Sequence, residues 1–213
     1  MSKGLDEFLD PQQRALVAAL TSPARIQAYL DSIPYSAEDT NRCPVRVLQD
    51  GKAHCLDGGV LAAALLSLLG YPPMILDMQP EPGTDDDHVL AIYRRNGFYG
   101  AVAKSNFSGL RFREAIYRSL RELVMSYFEV FFNVQGLKTM RGYTRPINLT
   151  AYDKKCWMWK DQGVDFIEHR LKELRLTIIV TPEMAGHFTP VDQRSYQAGM
   201  LGVITDGPYK PKN

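Results

Sequence analysis

The stretch from Cys55 to Leu69 constrains the fold most. After Gly58-Gly59 it reads Val60, Leu61, three alanines, Leu65, Leu66, Ser67, Leu68 and Leu69, apolar on nearly every side. A helix with no polar face has to be central and enclosed by other elements. Its alanines let neighbouring backbone come close. Gly70 suits the left-handed position after the last turn, and Tyr71-Pro72-Pro73 enforces the stop. The run is too short to span a bilayer.

Around this helix the local signals predict a mixed chain. Leu5 to Leu20 reads as a helix. Thr21-Ser22-Pro23 starts another, with a hydroxyl cap before proline and a stripe of Ile26, Leu30 and Ile33. Residues 35–54 read as an irregular loop with one extended piece, Val45 to Leu48. Met74 to Met78 and Val89 to Tyr93 predict strands. Asn96-Gly97 is a hairpin turn, and Phe98 to Ala103 the returning strand. Residues 113–133, rich in Tyr, Phe and Leu, predict a long helix on which Arg118 pairs with Glu114 and Glu122 at i,i+4. Asp161 to Leu174 predicts a helix, Leu176 to Val180 a strand, and Gly207 to Asn213 a frayed tail. Strands and helices are segregated rather than alternating, which is an α+β layout. At 213 residues the expectation is one domain.

Charge and cysteine usage exclude several function classes. With 25 basic and 24 acidic residues the net charge is +1, so no global excess drives binding to nucleic acid or to a membrane surface. Cys43, Cys55 and Cys156 form no C-x-x-C pair, which argues against a zinc ribbon or a disulfide framework. Met1-Ser2-Lys3 leads into an acidic segment with no signal-peptide pattern, so a reducing cytoplasm is expected. Cys43 and Cys156 read as structural. Asp85-Asp86-Asp87-His88 reads as a solvated loop rather than a metal site, and no calcium loop occurs, so no metal or cofactor is expected. The aromatic run Tyr127, Phe128, Phe131 and Phe132 suits a core or a homodimer face.

The chemistry concentrates at Cys55. It opens the central helix, where unpaired N–H groups and the helix dipole favour a thiolate. His88 opens a predicted strand after the acidic loop and can face the helix start. Asn106, just beyond the returning strand, is the candidate to orient the imidazole. Acyl chemistry also needs an oxyanion donor: the Cys55 backbone N–H is the first candidate, and Gln49, six residues upstream at a spacing similar to that of the papain-like oxyanion glutamine, is the second, which this resemblance implies. His54 reads as a loop histidine and Asp57 as a first-turn carboxylate favoured by the dipole.

Ala53-His54-Cys55-Leu56-Asp57-Gly58-Gly59-Val60-Leu61, the Leu-rich helix and Leu69-Gly70-Tyr71-Pro72-Pro73 resemble the transglutaminase-like core. His88-Val89-Leu90-Ala91-Ile92-Tyr93 with Gly97-Phe98-Tyr99 resembles its histidine strand and return strand. The resemblance covers about residues 20–110, leaving 111–213 as helical and strand elaboration. It implies a papain/transglutaminase-like α+β fold, with the central helix packed on an antiparallel sheet and further helices toward the C-terminus. It also implies covalent acyl transfer at an amide bond of a peptide, protein or small amide, by hydrolysis, deamidation or transamidation. Two positions depart from the family pattern. Leu90 stands where a Trp is usual, and no Asp follows on the return strand, so Asn106 would complete a papain-type Cys-His-Asn set. The alternative is a non-catalytic binding module that retains the fold.

Overall fold

The computed structural model describes residues 4–204. A 3-10 turn at Leu5–Phe8 precedes helix α1 (Pro11–Ala19), so the single helix expected over Leu5 to Leu20 is divided. Asp10-Pro11 causes the break: Asp10 accepts from the Gln13 N–H at 2.8 Å, and proline takes the first helical position. Helix α2 (Pro23–Ser32) starts on the expected Ser22 cap. Helix α3 (Pro44–Asp50) occupies part of the stretch expected to be loop and extended chain. Pro44 opens it, and Gly51 closes it in the left-handed region at φ 63°. Helix α4 (Cys55–Leu68) is the central helix, buried at every position from Leu56 to Leu66.

One antiparallel sheet carries the rest. Its strands are β1 (Met74–Pro80), β2 (His88–Arg95), β3 (Phe98–Val102), β4 (Arg113–Tyr117), β5 (Met140–Thr144), β6 (Ile147–Asn148) and β7 (Leu176–Ile178). They run in the order β4-β3-β2-β1-β5-β7, with β6 also pairing with β1 at Met74 and Ile75. The β2–β3 hairpin turns on Asn96 and Gly97, both at positive φ, as their residue types demand.

The long helix expected over 113–133 is instead β4, helix α5 (Leu120–Met125) and a 3-10 turn at Phe128–Val130. Edge pairing with β3 wins over helix propensity in the first part, and Ser119 caps a fresh start by accepting from the Glu122 N–H. The i,i+4 pairing expected along one helix is therefore interrupted between β4 and α5. Arg113 is tied to Ser126 and lies 3.9 Å from the Tyr127 ring centroid. Helices α6 (Asp161–Lys172), α7 (Pro182–Ala185) and α8 (Gln193–Gly199) follow. The tail expected to fray from Gly207 lies outside the described residues.

Side chains alternate across the sheet. Val89, Ala91 and Tyr93 of β2 enter the core shared with α4. Leu90 and Ile92 enter a second core with Tyr127 and Phe131 on the other face. A Cβ at Gly59 would stand 2.8 Å from Val89 Cγ1, so glycine is what lets α4 sit directly on β2. The result is the expected α+β arrangement of a buried helix on an antiparallel sheet. Among the described residues no helix is long and apolar enough to cross a membrane.

Candidate active site

Cys55 is the first residue of α4, and the loop before it is fastened from beneath. His54 caps the helix: its Nδ1 accepts from the Asp57 N–H at 3.5 Å, and Asp57 accepts in return from the His54 N–H at 3.3 Å. His54 is therefore a capping residue rather than a free loop histidine. Its spacing to Asp57 copies the capping-box pattern, the signal that identifies it. Asp57 is fully buried, accepts from the Arg42 N–H at 2.7 Å, and lies 3.8 Å from the Arg42 guanidinium. Burial pushes its carboxyl up to about 7 and the His54 imidazole down to about 4. The buried Arg42 also bonds Glu38, Asp50 and Ser36, so one guanidinium ties the chain before α3 and the last residue of α3 to the start of α4.

Cys55 is partly exposed at a groove of about 980 Å³. The groove wall is acidic, with Asp39, Asp86, Asp87 and Glu168 among its residues. The Cys55 thiol donates to the Asp87 carbonyl at 3.8 Å. Burial, then the negative charges of Asp87 and Asp77, push this thiol well above its usual range, while the Val89 N–H works in the opposite direction. The position at the helix start does not outweigh burial and the neighbouring carboxylates, so Cys55 rests as a neutral thiol. The Tyr35 phenol lines the same groove. Burial keeps that phenol protonated.

His88 is the first residue of β2 and has the parity of Leu90 and Ile92, the face away from α4. Its Nε2 lies 2.7 Å from the Leu110 carbonyl. A carbonyl only accepts, so Nε2 carries the proton and Nδ1 keeps the free lone pair. Burial lowers this imidazole to about 4, leaving it neutral. Cys55 and His88 both line a second, small cavity of about 40 Å³, together with Tyr35, Leu110 and Phe132. That space is enough for one water.

Of the other two expected site residues, Asn106 is near the pair but bonded to another partner, and Gln49 is remote. Asn106 also lines the small cavity, but its amide is engaged with Ile204: Nδ2 donates to the Ile204 carbonyl at 3.1 Å, and Oδ1 accepts from the Ile204 N–H at 2.9 Å. The group that orients His88 is the Leu110 carbonyl. Gln49 lies exposed on α3 and is absent from the lining of both cavities. Helix α3 and the turn at Gly51 carry it away from the start of α4.

A carboxyl pair lies beside the thiol instead. Asp77 on β1 is fully buried, and its carboxyl is linked to that of Asp87 through the side-chain amide of Gln79. Gln79 Nε2 donates to both, at 3.4 Å to Asp87. Strand register explains the meeting. Asp77 pairs with Val89 and Met78 with His88, so one step further Gln79 opposes Asp87. Asp77, Gln79 and Asp87 therefore share the α4 face with Val89. A lone Asp in the apolar run Met74-Ile75-Leu76-Asp77-Met78 is the sequence signal that marks this pair. Among the described residues no three His, Cys, Asp or Glu side chains come together as a metal site.

No family model matches this chain, and no curated protein matches it. Two solved structures of Legionella pneumophila LapG, one of them EGTA-treated, are similar to part of it. Each is 11% identical and covers 48% of this chain, at a TM-score of 0.37; the match spans 71% of the first and 70% of the second. The likeness is remote, and the site's own geometry carries the functional reading.

Proposed function

We propose that the chain is a transglutaminase-like cysteine acyl-transfer enzyme acting on an amide or peptide bond, with Cys55 as nucleophile. The observation that carries this is the placement of Cys55. It opens a helix buried from Leu56 to Leu66, beneath an open groove, and a tautomer-fixed imidazole lines the adjoining water-sized cavity. The motif resemblance over residues 20–110 points the same way.

His88 Nδ1 takes the thiol proton, through one water in the small cavity, as sulfur attacks the carbonyl carbon. The Leu110 carbonyl steadies the imidazolium that forms, the role a side-chain amide or carboxylate plays in other triads. The Cys55 N–H at the helix start is the donor to the oxyanion, and the Tyr35 hydroxyl lines the same groove. Water or an amine then takes the acyl group.

A second reading, a binding module that retains the fold, is favoured by one observation: neither the thiol nor the imidazole is charged at rest. Mass spectrometry after mixing with an activated acyl ester separates the two. Acylation at Cys55 that disappears in Cys55→Ala and slows in His88→Ala supports the enzyme. An unmodified Cys55 removes it.

A further inference from the structure

The mechanism above leaves a buried carboxyl pair unused. Asp77 has no exposure, yet its Oδ1 has no hydrogen-bond partner, alone among buried side-chain oxygens and nitrogens of the described residues. Gln79 Nε2 donates to Oδ2 of Asp77 and, at 3.4 Å, to Oδ2 of Asp87, so one amide holds the two carboxyl groups side by side. Two adjacent carboxylates cannot both ionise in such surroundings without a cation between them, and one shared proton resolves the conflict. Asp87 is half-buried and lines both the groove and the small cavity with Cys55.

We propose that Asp77 and Asp87 hold one proton between their carboxyl groups, and that Asp87 delivers it to the amine leaving from Cys55. The proposal rests on the acyl-transfer reading. In acylation the S–C bond forms, and the thiol proton passes to His88. The carbonyl electron pair moves to oxygen. On collapse C=O re-forms and C–N breaks, its electron pair staying on nitrogen, which takes the proton from Asp87. In hydrolysis water forms the new O–C bond and returns a proton to the carboxyl pair. S–C breaks, and sulfur recovers its proton from His88. Asp87 is the catalytic residue and Asp77 the positioning residue that keeps the proton available.

The groups facing the pair fit this role. Burial raises both carboxyls, and from α6 Lys172 pulls Asp87 down while Glu168 pushes it up. From α4 the neutral Cys55 thiol approaches the pair. Asp86 adds negative charge at the groove side of Cys55.

Two measurements on the full chain test the proposal. The infrared difference between wild type and Asp77→Asn at pH 7 should show one neutral carboxyl C=O band, lost in the variant because Asp87 then ionises alone. No such band overturns the shared proton. The second measurement compares acylation by a peptide nitroanilide and by the matching nitrophenyl ester, since only the anilide's amine needs a proton to leave. Asp87→Asn should lower the anilide-to-ester rate ratio about 100-fold. An unchanged ratio overturns delivery by Asp87. A wild type that is acylated by neither probe, or a Cys55→Ala that matches wild type, overturns the acyl-transfer reading itself. The infrared band still reports on the proton.

Discussion

A Cβ built on Gly58 would stand 2.2 Å from the Cβ of Lys104, so the start of α4 and the chain leaving β3 touch where position 58 has no side chain. Lys104 has little freedom to withdraw. Its buried ammonium donates to the Leu30 carbonyl at 2.7 Å and the Ile33 carbonyl at 2.6 Å, closing the end of α2. Gly58→Ala gains up to about 1 kcal/mol of helix propensity. It also forces a backbone-close overlap that costs about 3 kcal/mol. A net loss of about 2 kcal/mol is expected in urea unfolding, with the m-value unchanged.

Cys55 should behave as an ordinary or sluggish thiol toward iodoacetamide. Its pKa is raised by burial and by Asp87 and Asp77. Less thiolate is therefore present at any given pH, and the alkylation rate should climb about tenfold per pH unit through pH 9 without levelling. Site-resolved mass spectrometry distinguishes Cys55 from Cys156. A plateau below pH 7 would instead mark a resting thiolate–imidazolium pair.

His88 makes a pH-dependent contribution to stability that opposes folding in acid. Its imidazole titrates near 4 in the folded protein against 6.5 as the ordinary value. Between those values the unfolded chain binds the extra proton, so stability falls as pH drops from 6.5 toward 4. His88→Gln keeps a donor for the Leu110 carbonyl and removes the titration. Wild type should lose stability relative to this variant by up to about 1.4 kcal/mol per pH unit across that window. Urea melts at several pH values measure the difference.

Asn106→Ala tests a different role from the one its position first suggests. It removes both hydrogen bonds to Ile204. Ser108 still ties the neighbouring chain, its hydroxyl donating to the Ala198 carbonyl at 2.6 Å. The variant should raise amide hydrogen exchange around 200–204 and leave the pH profile of Cys55 acylation in place. A shifted profile would assign Asn106 to the imidazole after all.

Legibility followed the range of the signals. The α4 helix, its stop at Gly70 and the Asn96-Gly97 turn depend on adjacent residues and could be read from them. The 113–133 segment could not, because its first part is decided by hydrogen bonds to β3, a partner that local propensity does not see. At the site, Cys55 and His88 sit at an element start as expected. Gln49 failed because a fixed spacing says nothing once a helix and a left-handed turn intervene. The Asp77–Asp87 pair arises from strand register, and only the lone aspartate in an apolar strand announced it.

The acceptor that fixes the His88 tautomer is a main-chain oxygen. Every amino acid carries one, so the bond survives replacement of Leu110 by any residue that leaves the backbone in place. This position of the site is therefore free to drift over evolutionary time. Alignments that search for an invariant third side chain would pass over it, and ablation by substitution cannot reach it. Backbone ester replacement of the adjoining amide, which weakens the carbonyl as an acceptor, is the chemistry that could.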